Sequence, residues 1–175
     1  ALAATLGSDV PLFLGPPLSV IRGRGEIVEP VDGRLDAWCV LMLPRIHCST
    51  RAVYQAWDRR AGVTPAAAPP PAPTASSPPG PALSDVLAAL DRPGELMAHL
   101  SNDLEPAAFA VAPELETLRA RAAEAAGGPV RMSGSGSALF RLVDNRAEAE
   151  ALASRLRDAL GVRVAVARTL NAAGA

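Results

Sequence analysis

The fold is decided by residues 130–166, VRMSGSGSALFRLVDNRAEAEALASRLRDALGVRVAV, in which the hydrophobic period changes twice. Residues 130–133 and 138–143 are β-prone runs joined by alternating glycines and serines, which predicts two strands and a tight connection. Apolar residues then recur at helical spacing over residues 149–160, and Gly161 is a typical helix end. The alternating valines that follow predict a closing strand.

Earlier in the chain, residues 37–43, AWCVLML, form an apolar run that Pro44 closes, which predicts a buried strand. Ser49 or Thr50 is suited to cap the helix that follows. Upstream, residues 19–28 contain two β-prone pieces around glycines, which predicts a hairpin or a bulged strand.

Two further helical segments, residues 84–100 and 114–126, precede the glycine-serine stretch. From residue 37 onward the predicted order is strand, helix with extra helices, strand, strand, helix, strand. That order is the split βαβ pattern of a ferredoxin-like α+β sandwich, with the helices on one face of the sheet.

A proline-rich segment divides the chain unevenly. Residues 61–83 carry no charge, and residues 65–81 hold 8 of the 17 prolines. Because proline fixes φ and lacks an N–H donor, we expect an exposed, polyproline-like linker. It is either a surface insertion or, through Pro69-Pro70-Pro71, a ligand for an aromatic groove.

Composition narrows the class of protein. The 175 residues are 49% hydrophobic, with 36 Ala and six aromatic residues, so we expect aromatic side chains to contribute little to the core. The net charge of −1 lacks the positive excess that nucleic acid binding needs. No apolar run reaches the roughly 20 residues of a membrane span, and no signal peptide is recognisable, so we expect a cytoplasmic location. Cys39 and Cys48 lack disulfide or zinc spacing, which predicts ordinary thiols.

Four segments could carry chemistry, and each has a plain structural alternative. One of them, GRGE at residues 23–26, is explained about as well by a hairpin. In LGSDVP, residues 6–11, the Asp9 carboxylate either faces a cleft or caps its own turn. In RMSGSGS, residues 131–137, the glycines either let the backbone approach an anion closely or allow a tight connection between two strands. No GK[ST] follows, so this segment is not a Walker-type loop. In SNDLE, residues 101–105, Asn and Glu have capping-box spacing.

Taken in order, these segments closely resemble the back part of a GHMP small-molecule kinase. The resemblance rests on residues 6–14 (LGSDVPLFL), 23–26 (GRGE), 101–105 (SNDLE) and 132–137 (MSGSGS), and runs nearly end to end apart from the linker. Gly-Ser-Asp-Val-Pro and Ser-Gly-Ser-Gly-Ser are its specific parts. Within the family, the pattern favours the branch that phosphorylates the 2-hydroxyl of a cytidine-diphosphate-linked methylerythritol in isoprenoid synthesis.

The resemblance implies ATP with Mg²⁺ as phosphoryl donor, and Asp9 as the carboxylate that accepts the hydroxyl proton or orients the nucleophile. It places Thr50 and Tyr54 near the nucleotide end of the substrate, although Tyr54 would equally suit a helix core. The superfamily's third motif, at the floor of the active site, corresponds to Ser133, Gly134, Ser135, Gly136 and Ser137.

The resemblance also divides the chain into a remnant of an N-terminal domain, residues 1–36, and a C-terminal domain, residues 37–175, with the linker at 61–83. The family's lysine-bearing opening strand and glycine-rich ATP loop do not appear, and all 17 basic residues are Arg. We therefore predict a fragment that is catalytically silent alone and that self-associates through exposed apolar surface. The alternatives are another GHMP kinase, acting on homoserine or a mevalonate, and a non-catalytic ferredoxin-like module that binds a ligand or a partner.

Overall fold

The computed structural model describes residues 5–7, 10–16, 18–23, 27–62 and 82–169. Asp9, residues 24–26 and most of the predicted linker, residues 63–81, lie outside the described residues. The strands are β1 Ser19–Arg22, β2 Ile27–Pro30, β3 Trp38–Leu43, β4 Arg131–Met132, β5 Leu139–Val143 and β6 Arg163–Arg168. The helices are α1 Thr50–Arg60, α2 Leu83–Ala88, α3 Pro93–His99, α4 Glu105–Val111, α5 Pro113–Ala126 and α6 Arg146–Leu160, with a 3-10 helix at Val10–Leu14.

Four strands form one antiparallel sheet in the order β6-β3-β5-β4. The central strand β3 is paired on both sides, so that Leu41 lies opposite Phe140 of β5 and Ala165 of β6. The order and directions are those of two interleaved split βαβ units, which confirms the ferredoxin-like prediction. The separate β1–β2 pair, with Arg22 opposite Ile27, confirms the hairpin.

The main core lies on one face of the sheet, because alternate residues of a strand point to the same side. Val40 and Met42 of β3 are fully buried there, packed with Leu152 and Leu156 of α6 and Leu115 of α5. Helices α1 and α4 extend the same layer.

A second, smaller apolar cluster lies on the opposite face. It contains Leu96 and Met97 of α3 and Leu142 of β5, with Cys39 packed against it. The sequence predicted helices on one face only, but α2 and α3 cover part of the other. The reason is that β3 and β5 are apolar at odd and even positions alike, so both faces of these strands need cover.

The helix ends follow their local sequence signals. Ser49 caps α1, since its side chain accepts from the Ala52 N–H at 3.4 Å. Asn145 caps α6 in the same way, accepting from the Glu148 N–H at 2.9 Å. Gly127 and Gly161 end α5 and α6 in the left-handed conformation, which glycine adopts without a steric penalty. No helix of the described ranges is long and apolar enough to cross a membrane.

The connection between β4 and β5 depends on one glycine. Gly136 has φ of +89°, and a Cβ added there would lie 3.0 Å from Met132 Sδ and 3.2 Å from Leu115 Cδ2. Both the backbone conformation and the lack of space therefore require glycine at this position.

The core gives the first testable prediction. Leu152 is 2% exposed, and Leu152→Ala should lower the free energy of unfolding by about 2–5 kcal/mol because it leaves a cavity in the main core. Urea denaturation followed by circular dichroism measures this. The matched variant Leu83→Ala removes a side chain that is 45% exposed and should change the value by about 0.5 kcal/mol or less. Equal losses in the two variants would contradict the packing.

The glycine gives the second. Gly136→Ala should lower the free energy of unfolding by about 1–3 kcal/mol, through the strained φ and the contact with Met132. Gly94→Ala is the control, since nothing lies within 4 Å of its added Cβ. The same denaturation experiment should find the control unchanged or slightly stabilised, and a Gly136→Ala variant as stable as the original chain would disprove the constraint.

Candidate functional site

The candidate site is centred on residues 133–137, called here the glycine-serine loop, which joins β4 to β5. The Ser133 N–H donates to the Ala138 carbonyl at 2.9 Å, and the Gly136 N–H donates to the Ser133 carbonyl at 3.0 Å. Gly134 and Gly136 both have positive φ. The loop thus turns back on itself within a hairpin, and no helix starts in it, as the sequence predicted.

The carbonyl groups along this loop are occupied by donors of the protein. The Asn102 amide donates to the Met132 carbonyl at 3.0 Å and to the Gly134 carbonyl at 2.8 Å. The Ser133 carbonyl takes the Gly136 N–H, and the Ser135 carbonyl takes the Cys48 thiol at 3.2 Å. Four successive acceptors are therefore satisfied from within the molecule.

Unlike these carbonyls, several backbone N–H groups of the loop have no hydrogen-bond partner among the described residues. In the described part of the chain, the backbone N–H groups of Gly134, Ser135 and Ser137 donate to no other group. Ser133 and Gly134 are exposed, and the next three residues are half-buried. Successive unpaired N–H groups in a tight turn are the chemical basis of an anion-binding nest. The loop is therefore equipped to bind an anion.

Thr50 and the glycine-serine loop meet directly. The Thr50 hydroxyl, at the first residue of α1, lies 2.9 Å from the Ser135 hydroxyl. Tyr54 follows one helical turn later, and residues four apart share a helix face. Its side chain is 52% exposed, which excludes the helix-core alternative for this ring. Two residues assigned to the nucleotide end by resemblance are thus on the helix that contacts the loop.

The position of Asp9 is not among the described residues. Gly7 and Val10, on either side of it, are described. The Val10 N–H donates to the Gly7 carbonyl at 3.3 Å, and the 3-10 helix begins at Val10. The role of Asp9 therefore stays a prediction.

Sequence reasoning missed three residues that hold the loop. Asn102 and Glu105 have capping-box spacing, but α4 has no side-chain cap. Instead, Asn102 Oδ1 accepts from the Leu104 N–H at 3.0 Å, and Glu105 Oε1 accepts from the Met132 N–H at 2.9 Å. The capping box is not formed because both side chains bond the segment 132–134. Cys48, the third, carries no local signal of its contact with the loop.

The two cysteines are free thiols, as predicted. Burial raises the pKa of the Cys48 thiol, and the nearby Glu114 carboxylate raises it further. The thiol therefore keeps its proton and can donate to the Ser135 carbonyl. Burial raises the pKa of Cys39 to about 11, so this thiol is also uncharged at neutral pH.

Metal ligands do not gather in the described ranges: no three His, Cys, Asp or Glu side chains there are close enough to hold an ion.

A cavity of about 730 Å³ lies between the end of β3, α5 and the start of β6. Its lining includes Leu118 and Val162, with Arg45, Arg121 and Arg163. None of the predicted site residues lines it, so the chemistry is assigned to the glycine-serine loop and not to this cavity.

Comparisons with known proteins identify what the chain is similar to. Residues 82–162 match the family model described as GHMP kinases C terminal. The chain is 35% identical over 170 residues to a 4-diphosphocytidyl-2-C-methyl-D-erythritol kinase of Moorella thermoacetica, covering 95% of this chain and 55% of the relative. It is 40% identical over 161 residues to the enzyme of the same name from Cereibacter sphaeroides, covering 91% and 52%. The chain thus spans about half the length of these relatives.

Solved structures give the same result. A crystal structure of 4-(cytidine 5'-diphospho)-2C-methyl-D-erythritol kinase superposes with a TM-score of 0.67 at 31% identity, over 95% of this chain and 55% of that one. Homoserine kinase from Cytophaga hutchinsonii superposes with a TM-score of 0.57 at 15% identity, over 87% and 48%, which shows a shared fold alone. The sequence match and the superposed fold agree that residues 82–162 match the C-terminal domain of the GHMP kinase family.

Proposed function

We propose that the chain is the back part of an ATP-dependent kinase that phosphorylates the 2-hydroxyl of 4-diphosphocytidyl-2-C-methyl-D-erythritol, a step of isoprenoid precursor synthesis. The two relatives, both named as kinases of this substrate and 35–40% identical to the chain, support it. The observation that carries the proposal is the polarity of the glycine-serine loop: the carbonyls of residues 133–135 are occupied, and the N–H groups of Gly134, Ser135 and Ser137 are available within the described ranges.

The loop suits phosphoryl transfer for a physical reason. The transition state is loose, and its negative charge is spread over the phosphoryl oxygens, so catalysis consists mainly of positioning and charge stabilisation. Fixed N–H donors stabilise such charge without having to reorganise during the reaction. We assign the loop this role toward a phosphate group.

The substrate's nucleotide end is assigned to α1. Tyr54 is an exposed ring on the helix that begins at Thr50, and a base can stack on such a ring. The contact of Thr50 with Ser135 joins this end of the site to the loop. The two ends of a nucleoside diphosphate substrate would thus be held by adjoining elements.

Asp9 completes the proposal. As the 2-hydroxyl oxygen bonds to the γ-phosphorus, its proton passes to the Asp9 carboxylate, and ADP leaves with the electron pair of the broken P–O bond. A carboxyl of ordinary pKa is ionised at neutral pH and can accept this proton. Mg²⁺ would neutralise phosphate charge; the described residues include no group of three metal-ligating side chains, and no step is assigned to the ion here.

The domain division is proposed on the same basis: residues 1–36 as a remnant of an N-terminal domain and residues 37–175 as the C-terminal domain. Leu6, Phe13 and Leu14 are 74%, 81% and 76% exposed, which supports self-association through this apolar surface. The cytoplasmic location stays a prediction.

The third prediction concerns turnover. The 175-residue chain, incubated with Mg-ATP and the methylerythritol substrate, should give no phosphorylated product, because it contains no lysine and no glycine-rich ATP loop. Phosphorus NMR of the reaction mixture measures this, with a full-length relative as positive control. Product formation above the rate without protein would contradict the prediction.

The fourth prediction concerns the nucleotide end. Tyr54→Ala should weaken binding of cytidine diphosphate by about 1–3 kcal/mol, the usual contribution of one ring stacked on a base, and Thr50→Val should weaken it less. Isothermal titration calorimetry measures the affinity. Gln55→Ala, an exposed neighbour on α1, is the control and should bind as the original chain does. If the chain does not bind cytidine diphosphate, the result would instead favour the alternative of a non-catalytic module.

A further inference from the structure

We propose that Asn102 is the positioning residue that keeps the carbonyl groups of the glycine-serine loop away from the bound anion; the inference rests on the function proposed above. Asn102 lies between α3 and α4, some 30 residues before the loop in sequence. It touches no proposed ligand, and acts only through the loop backbone.

Every hydrogen-bonding group of the Asn102 side-chain amide takes part in a hydrogen bond. Its NH₂ group donates to the Met132 and Gly134 carbonyls, which flank Ser133 on both sides. Its Oδ1 accepts from the Leu104 N–H and so fixes the turn that carries the side chain. Only an amide side chain combines two such donors with an acceptor and no charge. The residue type is thus explained by the contacts.

The two carbonyls matter because a carbonyl oxygen repels an anion. In a hairpin this tight, a peptide unit that rotates presents its oxygen where its N–H had been available. The Gly134 oxygen belongs to the peptide unit that carries the Ser135 N–H, so Asn102 prevents that rotation there by holding this oxygen. The Met132 oxygen belongs to the peptide unit of the Ser133 N–H, which already donates to the Ala138 carbonyl. The Ser135 N–H is therefore kept as a donor toward a ligand.

Two neighbours support the same polarity. Glu105 Oε1 accepts from the Met132 N–H, so both polar groups of the Met132 backbone are bound to residues 102–105. The Cys48 thiol occupies the Ser135 carbonyl, which Asn102 does not reach. Asn102 contacts two carbonyls, those of Met132 and Gly134, whereas Glu105 and Cys48 each contact one backbone group.

The test uses the 175-residue chain, with inorganic pyrophosphate as the probe. Amide proton–nitrogen NMR spectra should show saturable shifts at Gly134, Ser135 and Ser137. Asn102→Asp keeps the acceptor for the Leu104 N–H but replaces both donors by an oxygen. It should weaken pyrophosphate binding about tenfold or more, the change expected when a loop of fixed donors is lost. Ser101→Asp is the matched control, because it adds the same charge at an exposed position that bonds no loop carbonyl.

Ser101→Asp should weaken binding by about threefold or less, as a screened surface charge does. A second variant, Asn102→Ser, is uncharged and keeps a short side-chain acceptor for the turn; it should also lose about tenfold. The thermal midpoint of each variant separates this effect from a loss of folding, since a purely structural role would lower the midpoint without changing the affinity of the folded fraction.

The outcomes separate the two proposals. If the original chain shows no saturable shift at the three amides, the anion-binding role of the loop fails, and this inference fails with it. If the original chain binds and both Asn102 variants bind equally well, the positioning role is overturned while the proposed function stands. A loss in the Asn102 variants that Ser101→Asp reproduces in full would also overturn it, because charge alone would then account for the effect.

Discussion

The double pairing of β3 is the constraint on which the rest of the structure depends. This strand is hydrogen-bonded to β5 on one side and to β6 on the other, in a register that leaves no freedom to slip without turning its apolar residues to the wrong face. Because β3 is antiparallel to β5, its last residues lie beside the first residues of β5. The segment that leaves β3 and the loop that enters β5 must therefore meet at one end of the sheet.

The site follows from that meeting. Cys48, on the connection from β3 to α1, and Thr50, the first residue of α1, reach Ser135 across the end of the sheet, at 3.2 Å and 2.9 Å. From the other side, Asn102 before α4 and Glu105 at its first residue reach back to β4. The loop is thus held between two segments, one for each strand that it adjoins, and each supplies donors to its carbonyls. A hairpin loop with this many external bonds is a positioned group and not a free turn.

Much of the fold could be predicted from the sequence because its signals are local. The helical spacing of residues 149–160, the glycine at its end and the apolar run before Pro44 each act within one element. The apolar odd and even positions of β3 predicted burial, but not that α2 and α3 would supply the second cover, since that depends on packing between distant segments. Thr50 was assigned by resemblance, and its contact with Ser135 spans 85 residues of sequence. The roles of Asn102, Glu105 and Cys48 could not be predicted, because neither a capping pattern nor a single thiol indicates which residue, distant in sequence, its side chain will contact.

The sheet fixes the site even though a proline-rich segment divides the chain. Residues 63–81 separate the part that supplies Cys48 and Thr50 from the part that supplies the loop and Asn102. The entropic cost of closing a chain segment grows only with the logarithm of its length, at about 0.6 kcal/mol for each doubling. The register of β3 with β5 and β6, by contrast, is fixed by side-chain burial that does not depend on the length of the insertion. The geometry of the site is therefore set by the sheet, and sequence can accumulate between its two halves at little energetic cost to the contacts that define it.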